Sequence, residues 1–250
     1  MRIDIVTIFP DAFAPLAVSI VGRARERGLL EVRIWDLRDF TADRHRQVDD
    51  TPYGGGPGMV MKPEPFFAAV EAIRAAAGAR PRILLPSPQG RTLTQDLLRE
   101  LSREPQLVIL CGHYEGVDER VPEALGAEEI SIGDYVVSGG ELPAMVIVEG
   151  VSRLLPGVVG DEQSVAADSF SEGLLDYPHY TRPPEIAGRR VPDVLLSGHH
   201  GEIRRWRRRE QLRRTQRRRP DLWQRAALSA EDQGLLEESD GDEPAGGELV

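Results

Sequence analysis

The stretch Ser131–Met145, SIGDYVVSGGELPAM, runs from an apolar, strand-like start into an apolar, helix-prone segment. Gly139 and Gly140 interrupt it, and glycine lets a backbone approach a ligand closely. This outline is typical of a nucleotide-binding loop. The stretch nevertheless contains neither the GxGxxG of a dinucleotide fold nor the GxxxxGK[ST] of a P-loop. It therefore argues against an NAD-dependent oxidoreductase and against a triphosphate site.

Comparable loops follow two other predicted strands, at Pro86–Gly90 (PSPQG) and Cys111–Arg120 (CGHYEGVDER). Open α/β sheets bind ligands at the carboxyl ends of their strands. One such loop alone is usually an ordinary turn, but three at successive strand ends favour a shared pocket. Lys62 is the only lysine, and no phosphate signature is present. The pattern favours an adenosine-type ligand read by backbone groups.

The first 160 residues alternate between strand-like and helix-like segments, which predicts an α/β domain. The strand segments are almost continuously apolar, as expected when helices cover both faces of a mainly parallel sheet. The predicted strands are Ile3–Phe9, Glu31–Asp36, Arg82–Pro86, Leu107–Cys111 and Glu129–Ile132. The predicted helices are Pro15–Arg27, Pro63–Ala77, Thr92–Arg103 and Glu141–Leu155.

The pattern decays after Gly157 into a long loop rich in Gly, Pro, Ser and Asp. A small helical segment is predicted from Asp193, including Leu222–Leu228. We therefore divide the chain into an α/β domain (1–160), a linker (161–175), a helical domain (176–230) and an acidic tail (231–250). The tail has eight acids and no base, which predicts disorder.

The composition is that of a soluble globular protein, with 40% hydrophobic and 29% charged residues. No segment approaches the roughly 18 uncharged apolar residues of a membrane span, so no membrane partner is expected. The start, MRIDIVTIFPDAF, does not resemble a signal peptide. A single cysteine, Cys111, fits a reducing compartment, and we expect a cytoplasmic protein.

The net charge of −10 averages unlike regions. Ten arginines lie between Arg204 and Arg219, interleaved with Trp206. A local basic field can attract a phosphate backbone although the whole chain is acidic. The alternative is a solvated helix face. The density of arginines favours polyanion binding.

The segment Asp49–Pro63, DDTPYGGGPGMVMKP, has the most unusual composition in the chain. Five of the seven residues from Gly54 to Val60 are Gly or Pro, which excludes a regular strand or helix there. The segment is either a flexible surface loop or a loop that approaches RNA closely, with Tyr53 available for stacking. Composition and spacing alone do not separate these two interpretations.

Individual polar residues carry less information. His199 and His200 have no accompanying zinc-ligand spacing, so no zinc site is predicted there. Acids such as Glu115 and Asp118 commonly complement a helix start, and Asp168 commonly caps a turn. Arg153, late in a predicted helix, suits that helix's C-terminus. Residue type alone favours these structural roles.

Taken in order, the segments resemble the bacterial tRNA (guanine-N1)-methyltransferases that act at position 37, the TrmD family of the SPOUT class. The resemblance spans about Thr7 to Arg208. The matching blocks are TIFP, VDDTPYGGGPGMVMKPEP, LLPSPQGRTLTQ, LVILCGHYEGVDERV, EEISIGDYVVSGGELPAMVIVEGVSRLLPGVVG, DSFSEGLLDYPHYTRP and VPDVLLSGHHGEIRRWRR.

The resemblance implies a deep trefoil knot that binds S-adenosylmethionine, an exception to the rule that chains are unknotted. It also implies a homodimer whose active sites lie at the subunit interface, with Asp168 of one chain near the cofactor of the other. The cofactor residues carried over are Pro86, Ser87, Pro88, Gln89, Gly90, Gly112, Tyr114, Glu115, Gly116, Ile132, Gly133, Asp134, Tyr135, Val136, Val137, Gly139, Gly140 and Pro143.

The resemblance also assigns chemistry. Asp168 matches the general base that takes the proton of guanine N1, and Arg153 would stabilise the charge that grows on O6. Glu115 would orient the cofactor or the base, and Mg²⁺ is implied without assignable ligands. The tRNA anticodon stem-loop would contact Tyr53, Gly54, Gly55, Gly56, Gly58, Arg204, Arg205 and Arg207.

The sequence leaves two alternatives, one within the same class of enzyme and one outside it. The chain could be another SPOUT RNA methyltransferase with a different target base. It could also be a non-catalytic RNA-binding protein that uses only its basic segment. The DSFS and SIGDYVVSGGE blocks argue against the second alternative.

Overall fold

The computed structural model describes residues 1–77, 80–160 and 168–237 of the chain. The chain divides into two compact units, Met1–Glu162 and Gln163–Val250. Within the described ranges, no helix has both the length and the apolar character needed to cross a membrane.

A five-stranded sheet forms the centre of the first unit, with strand order β2-β1-β6-β5-β7 and parallel pairing throughout. The prediction of an α/β fold with a mainly parallel sheet is therefore confirmed. A two-residue antiparallel pair, β3 with β4, lies apart from this sheet. The strands are β1 (Arg2–Thr7), β2 (Glu31–Asp36), β3 (Asp49–Asp50), β4 (Val60–Met61), β5 (Arg82–Thr92), β6 (Gln106–Leu110) and β7 (Glu128–Ser131).

Two apolar layers enclose the sheet, as the alternation of side chains along a strand requires. On the central strand β6, Leu107 and Ile109 enter one layer, whereas Val108 and Leu110 enter the other. Every residue of β6 is buried. A strand covered on both faces has no polar side, which explains the continuous apolar run in its sequence.

Helices fill both layers. The predicted helix Pro15–Arg27 is instead a 3-10 helix, Pro10–Ala17, followed by α1, because Val18 between them is extended. The predicted helix from Thr92 begins at Gln95, because the Thr94 hydroxyl caps it by accepting a hydrogen bond from the Leu97 N–H at 3.2 Å. The helices are α1 (Ser19–Glu26), α2 (Pro63–Ala77), α3 (Gln95–Leu101), α4 (Arg120–Leu125) and α5 (Glu141–Ser152), with a second 3-10 helix at Leu37–Phe40.

The second unit is small and mainly helical. Its buried core contains Leu174, Leu212 and Leu235. The elements are a hairpin of β8 (Glu185–Ile186) and β9 (Arg189–Arg190), then α6 (Asp193–Leu196), α7 (His200–Arg218), α8 (Pro220–Trp223) and α9 (Ala230–Glu237).

Three assignments in this unit differ from the expected ones. Residues 231–237, assigned above to a disordered tail, form most of α9, whose Leu235 is buried in the core. Leu174, assigned to the linker, also belongs to that core. The expected helical stretch Leu222–Leu228 is helical only through Trp223. The rest of the tail, 238–250, and linker residues 161–167 lie outside the described residues.

Candidate active site

Two of the predicted loops follow β6 and β7, and the third lies within β5, which stands between those two strands, so that all three lie at one edge of the sheet. We call them the β5 loop (Pro86–Gly90), the β6 loop (Gly112–Gly116) and the β7 loop (Ile132–Gly140). The β6 and β7 loops bind each other through their backbones. The Gly140 N–H donates to the Gly112 carbonyl at 2.8 Å, and His113 pairs with Gly139 in an isolated bridge.

The β5 loop is a bulge within a longer strand than the sequence predicts. Pro86 and Arg91 both pair with Ile130 of β7, so the residues between them are displaced from the regular pairing. A side chain at Gly90 would not fit, because its Cβ would lie 2.3 Å from the Glu129 carbonyl carbon and the Ile130 nitrogen. Two prolines without N–H groups and one close-packed glycine thus shape this loop.

The β6 loop turns sharply, with Tyr114 in the left-handed region at φ 60°. Its backbone joins β4 at the end of the glycine-rich segment. The Glu115 N–H donates to the Met59 carbonyl at 3.0 Å, and the Met61 N–H donates to the Gly116 carbonyl at 2.9 Å. Positive φ in a residue with a side chain is uncommon and often marks a functional turn.

The Glu115 side chain lies over Gly58. A Cβ at Gly58 would fall 2.2 Å from Glu115 Oε1, and Gly58 also has a positive φ of 81°. The resemblance implies RNA contact for Gly58 and cofactor contact for Glu115, and these two residues lie close together in the structure. A residue expected to contact RNA and a residue expected to contact the cofactor are therefore neighbours.

The β7 loop exposes an apolar surface. Tyr135 is 57% exposed and Val136 is 87% exposed, beside a tight turn in which the Tyr135 N–H donates to the Gly133 carbonyl at 2.9 Å. Gly133 has φ 142°, which favours glycine. Exposed apolar side chains next to turning backbone are suited to a planar, weakly charged ligand such as an adenosine.

Gly140 ends this loop at the point where α5 begins. A Cβ there would lie 2.7 Å from Cys111 Cα, so only glycine allows β6 and α5 to approach this closely. Pro143, one turn into the helix, is buried.

A buried carboxylate, absent from the predicted site, lies against the β6 and β7 loops. Glu141 is 7% exposed, and its Oε1 accepts a hydrogen bond from Thr7 Oγ1 at 2.7 Å. Its Oε2 lies 3.5 Å from His113 Nε2. The His113 ring also contacts Phe9 edge-on, with centroids 5.0 Å apart. The TIFP block, the β6 loop and the start of α5 are thereby tied together.

Burial and the neighbouring Glu141 carboxylate raise the pKa of the Cys111 thiol well above its usual value. Cys111 is fully buried and follows β6 directly. It is therefore a packing residue rather than a nucleophile.

The glycine-rich segment connects β3 and β4. Tyr53 at its tip is fully exposed. The predicted absence of regular structure holds for the tip, but Val60 belongs to the two-residue strand β4. Four glycines have positive φ: Gly54, Gly55, Gly56 and Gly58.

The two predicted catalytic residues lie in different units. Arg153 is the C-cap of α5, where its N–H donates to the Glu149 carbonyl at 3.2 Å. Asp168 begins a compact turn in which its carbonyl accepts from the Ser171 N–H at 3.1 Å. Phe170 in that turn has φ 72°. Strain of this kind is typical of functional turns.

Helix α7 carries the predicted arginines. Arg204, Arg205 and Arg207 are exposed on it. Arg208 is instead held by Asp232 at 2.7 Å and by Glu172 at 2.8 Å. Hydrogen bonding to Asp232 raises the pKa of Arg208, so this arginine serves the fold of the unit.

Comparisons with known proteins agree on one family. The sequence model described as tRNA (Guanine-1)-methyltransferase TrmD matches residues 1–225. A tRNA (guanine-N(1)-)-methyltransferase of Pelotomaculum thermopropionicum is 56% identical over 95% of this chain and 96% of its own length. The protein of the same name from Moorella thermoacetica is 57% identical over 95% of this chain and 96% of its own length. The one from Chloroflexus aurantiacus is 57% identical over 96% of this chain and 93% of its own length.

Proposed function

This chain belongs to the tRNA (guanine-1)-methyltransferase family, and from that premise we propose that it methylates N1 of guanine 37 in tRNA. The methyl donor of the proposed reaction is S-adenosylmethionine. The observation that carries the proposal is the joining of the β6 and β7 loops through Gly112 and Gly140, beside an exposed apolar rim. Such a site favours an adenosine without a polyphosphate.

The three loops fit this cofactor. Glycine is required where backbones meet at Gly90 and Gly140, and Tyr135 and Val136 offer apolar contact. When bound, S-adenosylmethionine supplies an electrophilic methyl group on a sulfonium. The loops' own contribution is to hold and orient the adenosine and to exclude water from it.

Asp168 is the proposed general base. Guanine N1 carries a proton at neutral pH, and a carboxylate within hydrogen-bond reach can accept it. Arg153 is the proposed partner of guanine O6, where negative charge grows as the proton leaves. The target base must leave its stack to reach these groups, which costs less in an anticodon loop than in a duplex.

We further propose that the chain forms a deep trefoil knot and a homodimer. Two observations support the knot. The strands of the sheet are parallel, and Gly140 packs against Cys111 so closely that only glycine fits, which lets chain segments pass close to one another at this edge of the sheet. Leu142 and Val146, one turn apart on α5, are 60% and 47% exposed. An apolar helix face of this kind is suited to a second copy of the chain. A reducing compartment, where tRNA is found, makes the cytoplasm the proposed location.

Mg²⁺ has no assigned place in this mechanism. Within the described ranges, no three His, Cys, Asp or Glu side chains are grouped to hold a metal ion. No step of the proposed reaction is therefore assigned to a metal.

The test is methyl transfer to a tRNA transcript with guanine 37 and to matched transcripts with another base at that position. We expect methylation of the first transcript alone, with the product mapped to N1 of guanine 37 by mass spectrometry. Equal methylation of both transcripts would favour another SPOUT methyltransferase.

Asp168→Asn tests the mechanism. Loss of a general base typically costs about 10²- to 10⁴-fold in rate, so kcat should fall within that range while S-adenosylmethionine binding by calorimetry stays unchanged. Unchanged kcat would remove Asp168 from the mechanism. A non-catalytic RNA-binding protein would show neither methyl transfer nor cofactor binding.

A further inference from the structure

Four aromatic side chains of the second unit, none of them among the site residues described above, lie close to one another or to Arg207. Tyr177 and His179 lie with ring centroids 4.7 Å apart. Tyr180 lies 6.3 Å from Trp206 of α7, and the Arg207 guanidinium carbon is 4.8 Å from the Tyr177 ring centroid. We call these five residues the aromatic cluster.

The cluster remains open to solvent. Tyr180 is 50% exposed, and the His179 side chain is 67% exposed. The buried core of this unit consists of other residues, Leu174, Leu212 and Leu235. Aromatic rings that only serve packing are normally covered on both faces, whereas exposed rings that contact one another offer ring faces to a further planar group.

Two contacts hold Tyr177 and His179 of the cluster in place. His179 Nε2 lies 2.7 Å from Asp176 Oδ2. Arg207 lies over Tyr177 in cation–π contact. The Tyr177 and His179 rings are therefore arranged before any ligand arrives, which lowers the entropic cost of stacking on this part of the cluster.

The charge around the cluster indicates which planar group it would take. Arg207 belongs to the cluster, and Arg204 and Arg205 are exposed beside Trp206 on α7. Arginines next to exposed aromatic rings are the combination with which proteins bind single-stranded nucleic acid, because phosphates meet the cations and bases meet the rings.

We propose that the aromatic cluster stacks one unpaired nucleobase of the RNA substrate, other than the methylated guanine, with Tyr180 as the main stacking surface. The proposal rests on the proposed function, since it takes the RNA to be an anticodon loop. It assigns to Tyr177, His179 and Tyr180 a role in binding RNA rather than in methyl transfer.

Tyr180→Ala tests the stacking surface, and Tyr180→Phe is the matched variant that keeps the ring. Stacking of one base changes affinity by between about fivefold and about 150-fold, so Tyr180→Ala should raise the tRNA Kd within that range. Tyr180→Phe should stay within about twofold of the wild type, because the ring that stacks is kept. Ile186→Ala, an exposed apolar truncation in the same unit, is the control and should bind like the wild type.

The base that stacks is found by placing an abasic nucleotide at each unpaired position of the anticodon loop in turn. At one position, the abasic nucleotide should weaken binding of the RNA to the wild type. The same nucleotide should not weaken binding to Tyr180→Ala beyond the loss that this variant already shows with the intact RNA. The two changes are then non-additive, as expected for partners in contact. Additive losses at every position, or wild-type affinity for Tyr180→Ala, would overturn the proposal.

The same samples separate this proposal from the proposed function. Binding is measured without the methyl donor, and methyl transfer to the guanine 37 transcript is measured on the wild type alone. Absence of methyl transfer by the wild type would overturn the proposed function, whereas the Tyr180 series tests only the stacking site. Thermal melting of each variant shows whether the unit remains folded.

Discussion

Glu141 shows how a single residue can hold the site without belonging to its surface. Its carboxylate is buried and reaches Thr7 on one side and His113 on the other. A buried polar group left without its partner costs about 1–3 kcal/mol. Removing the carboxylate therefore affects the β6 and β7 loops together.

Glu141→Ala should destabilise the protein by about 1–3 kcal/mol, because the Thr7 hydroxyl loses its hydrogen-bond acceptor. The variant should also raise the KM for S-adenosylmethionine by roughly tenfold, because the carboxylate no longer connects the β6 loop to the start of α5. Glu141→Gln, which still accepts from Thr7, should lie between Ala and the wild type. Thermal melting and steady-state kinetics measure both effects. A KM for Glu141→Ala equal to that of the wild type would separate Glu141 from cofactor binding.

Gly140 provides a second test at this scale. Its φ of −75° suits any residue, so Gly140→Ala acts only through the 2.7 Å approach of the new Cβ to Cys111 Cα. Overpacking of this kind costs about 1–3 kcal/mol, and cofactor binding should weaken as the loop shifts.

Gly234→Ala is the matched control for Gly140→Ala. Gly234 lies within α9, and a Cβ added there would meet no heavy atom within 4 Å. Alanine there should stabilise the helix by about 0.5–1 kcal/mol and leave cofactor affinity unchanged. If calorimetry finds that both variants bind the cofactor with equal affinity, the close approach of Gly140 to Cys111 does not contribute to cofactor binding.

At the scale of elements, the sequence predicted long apolar segments well and short polar ones poorly. The strand Arg82–Pro86 is predictable from its continuous apolar run, and Glu31–Asp36 is predictable from its alternation of charged and apolar residues. Helix α4 has only six residues and no strong apolar period, so no pattern indicated it. Glu141 was missed because burial of a carboxylate depends on tertiary packing.

Helix α9 was missed for another reason. Its acidic composition predicts disorder, yet Ser229 and Asp232 form a capping box. The Ser229 N–H donates to Asp232 Oδ2 at 3.0 Å, and the Asp232 N–H donates to Ser229 Oγ at 3.1 Å. The spacing SxxD was a local signal for a helix start, and the charge of the tail obscured it.

Asp232 should make the stability of the second unit depend on pH. Its hydrogen bonds to Arg208 lower the pKa of Asp232 to about 2. A carboxylate whose pKa is lowered by folding stabilises the folded state at pH values above its pKa in the unfolded chain, which is about 3.9. This stabilisation is lost as the pH falls towards 2. Asp232→Asn should therefore cost on the order of 2 kcal/mol at pH 7 and much less near pH 2.

Tryptophan fluorescence can follow this unit, since Trp206 and Trp223 belong to it. Asp221→Asn is the control, because Asp221 also pairs with an arginine, Arg219, but on the surface. Exposed pairs contribute little to stability, so its melting temperature should change little. The same pH dependence in Asp232→Asn and the wild type would contradict the assignment.

For the whole molecule, charge is distributed unevenly along the chain. The overall net charge is −10, yet α7 concentrates the arginines in the second unit. The family match joins this unit to the sheet in one enzyme, because it covers residues 1–225. Neither the proposed knot nor the proposed sharing of the active site follows from residue patterns, since both depend on how distant segments or separate chains come together.

Mixing of inactive variants tests the proposed sharing of the site between subunits. Arg153→Ala and Asp168→Asn should each be inactive alone. If each site takes Arg153 from one subunit and Asp168 from the other, random mixing should restore about a quarter of the wild-type activity, since half of the dimers hold one intact site. Restoration requires subunit exchange, which co-refolding ensures. No recovery after co-refolding would place both residues in the same chain.

Because Cys111 packs closely against Gly140, the reactivity of its thiol also measures how often this part of the molecule opens. The only thiol of the molecule lies beneath the start of α5, fully shielded from solvent. A thiol reagent can therefore react only when this part of the molecule opens, and the labelling rate measures how often that happens. A ligand held by the surrounding loops would slow the labelling. Its affinity could then be read without RNA and without methyl transfer.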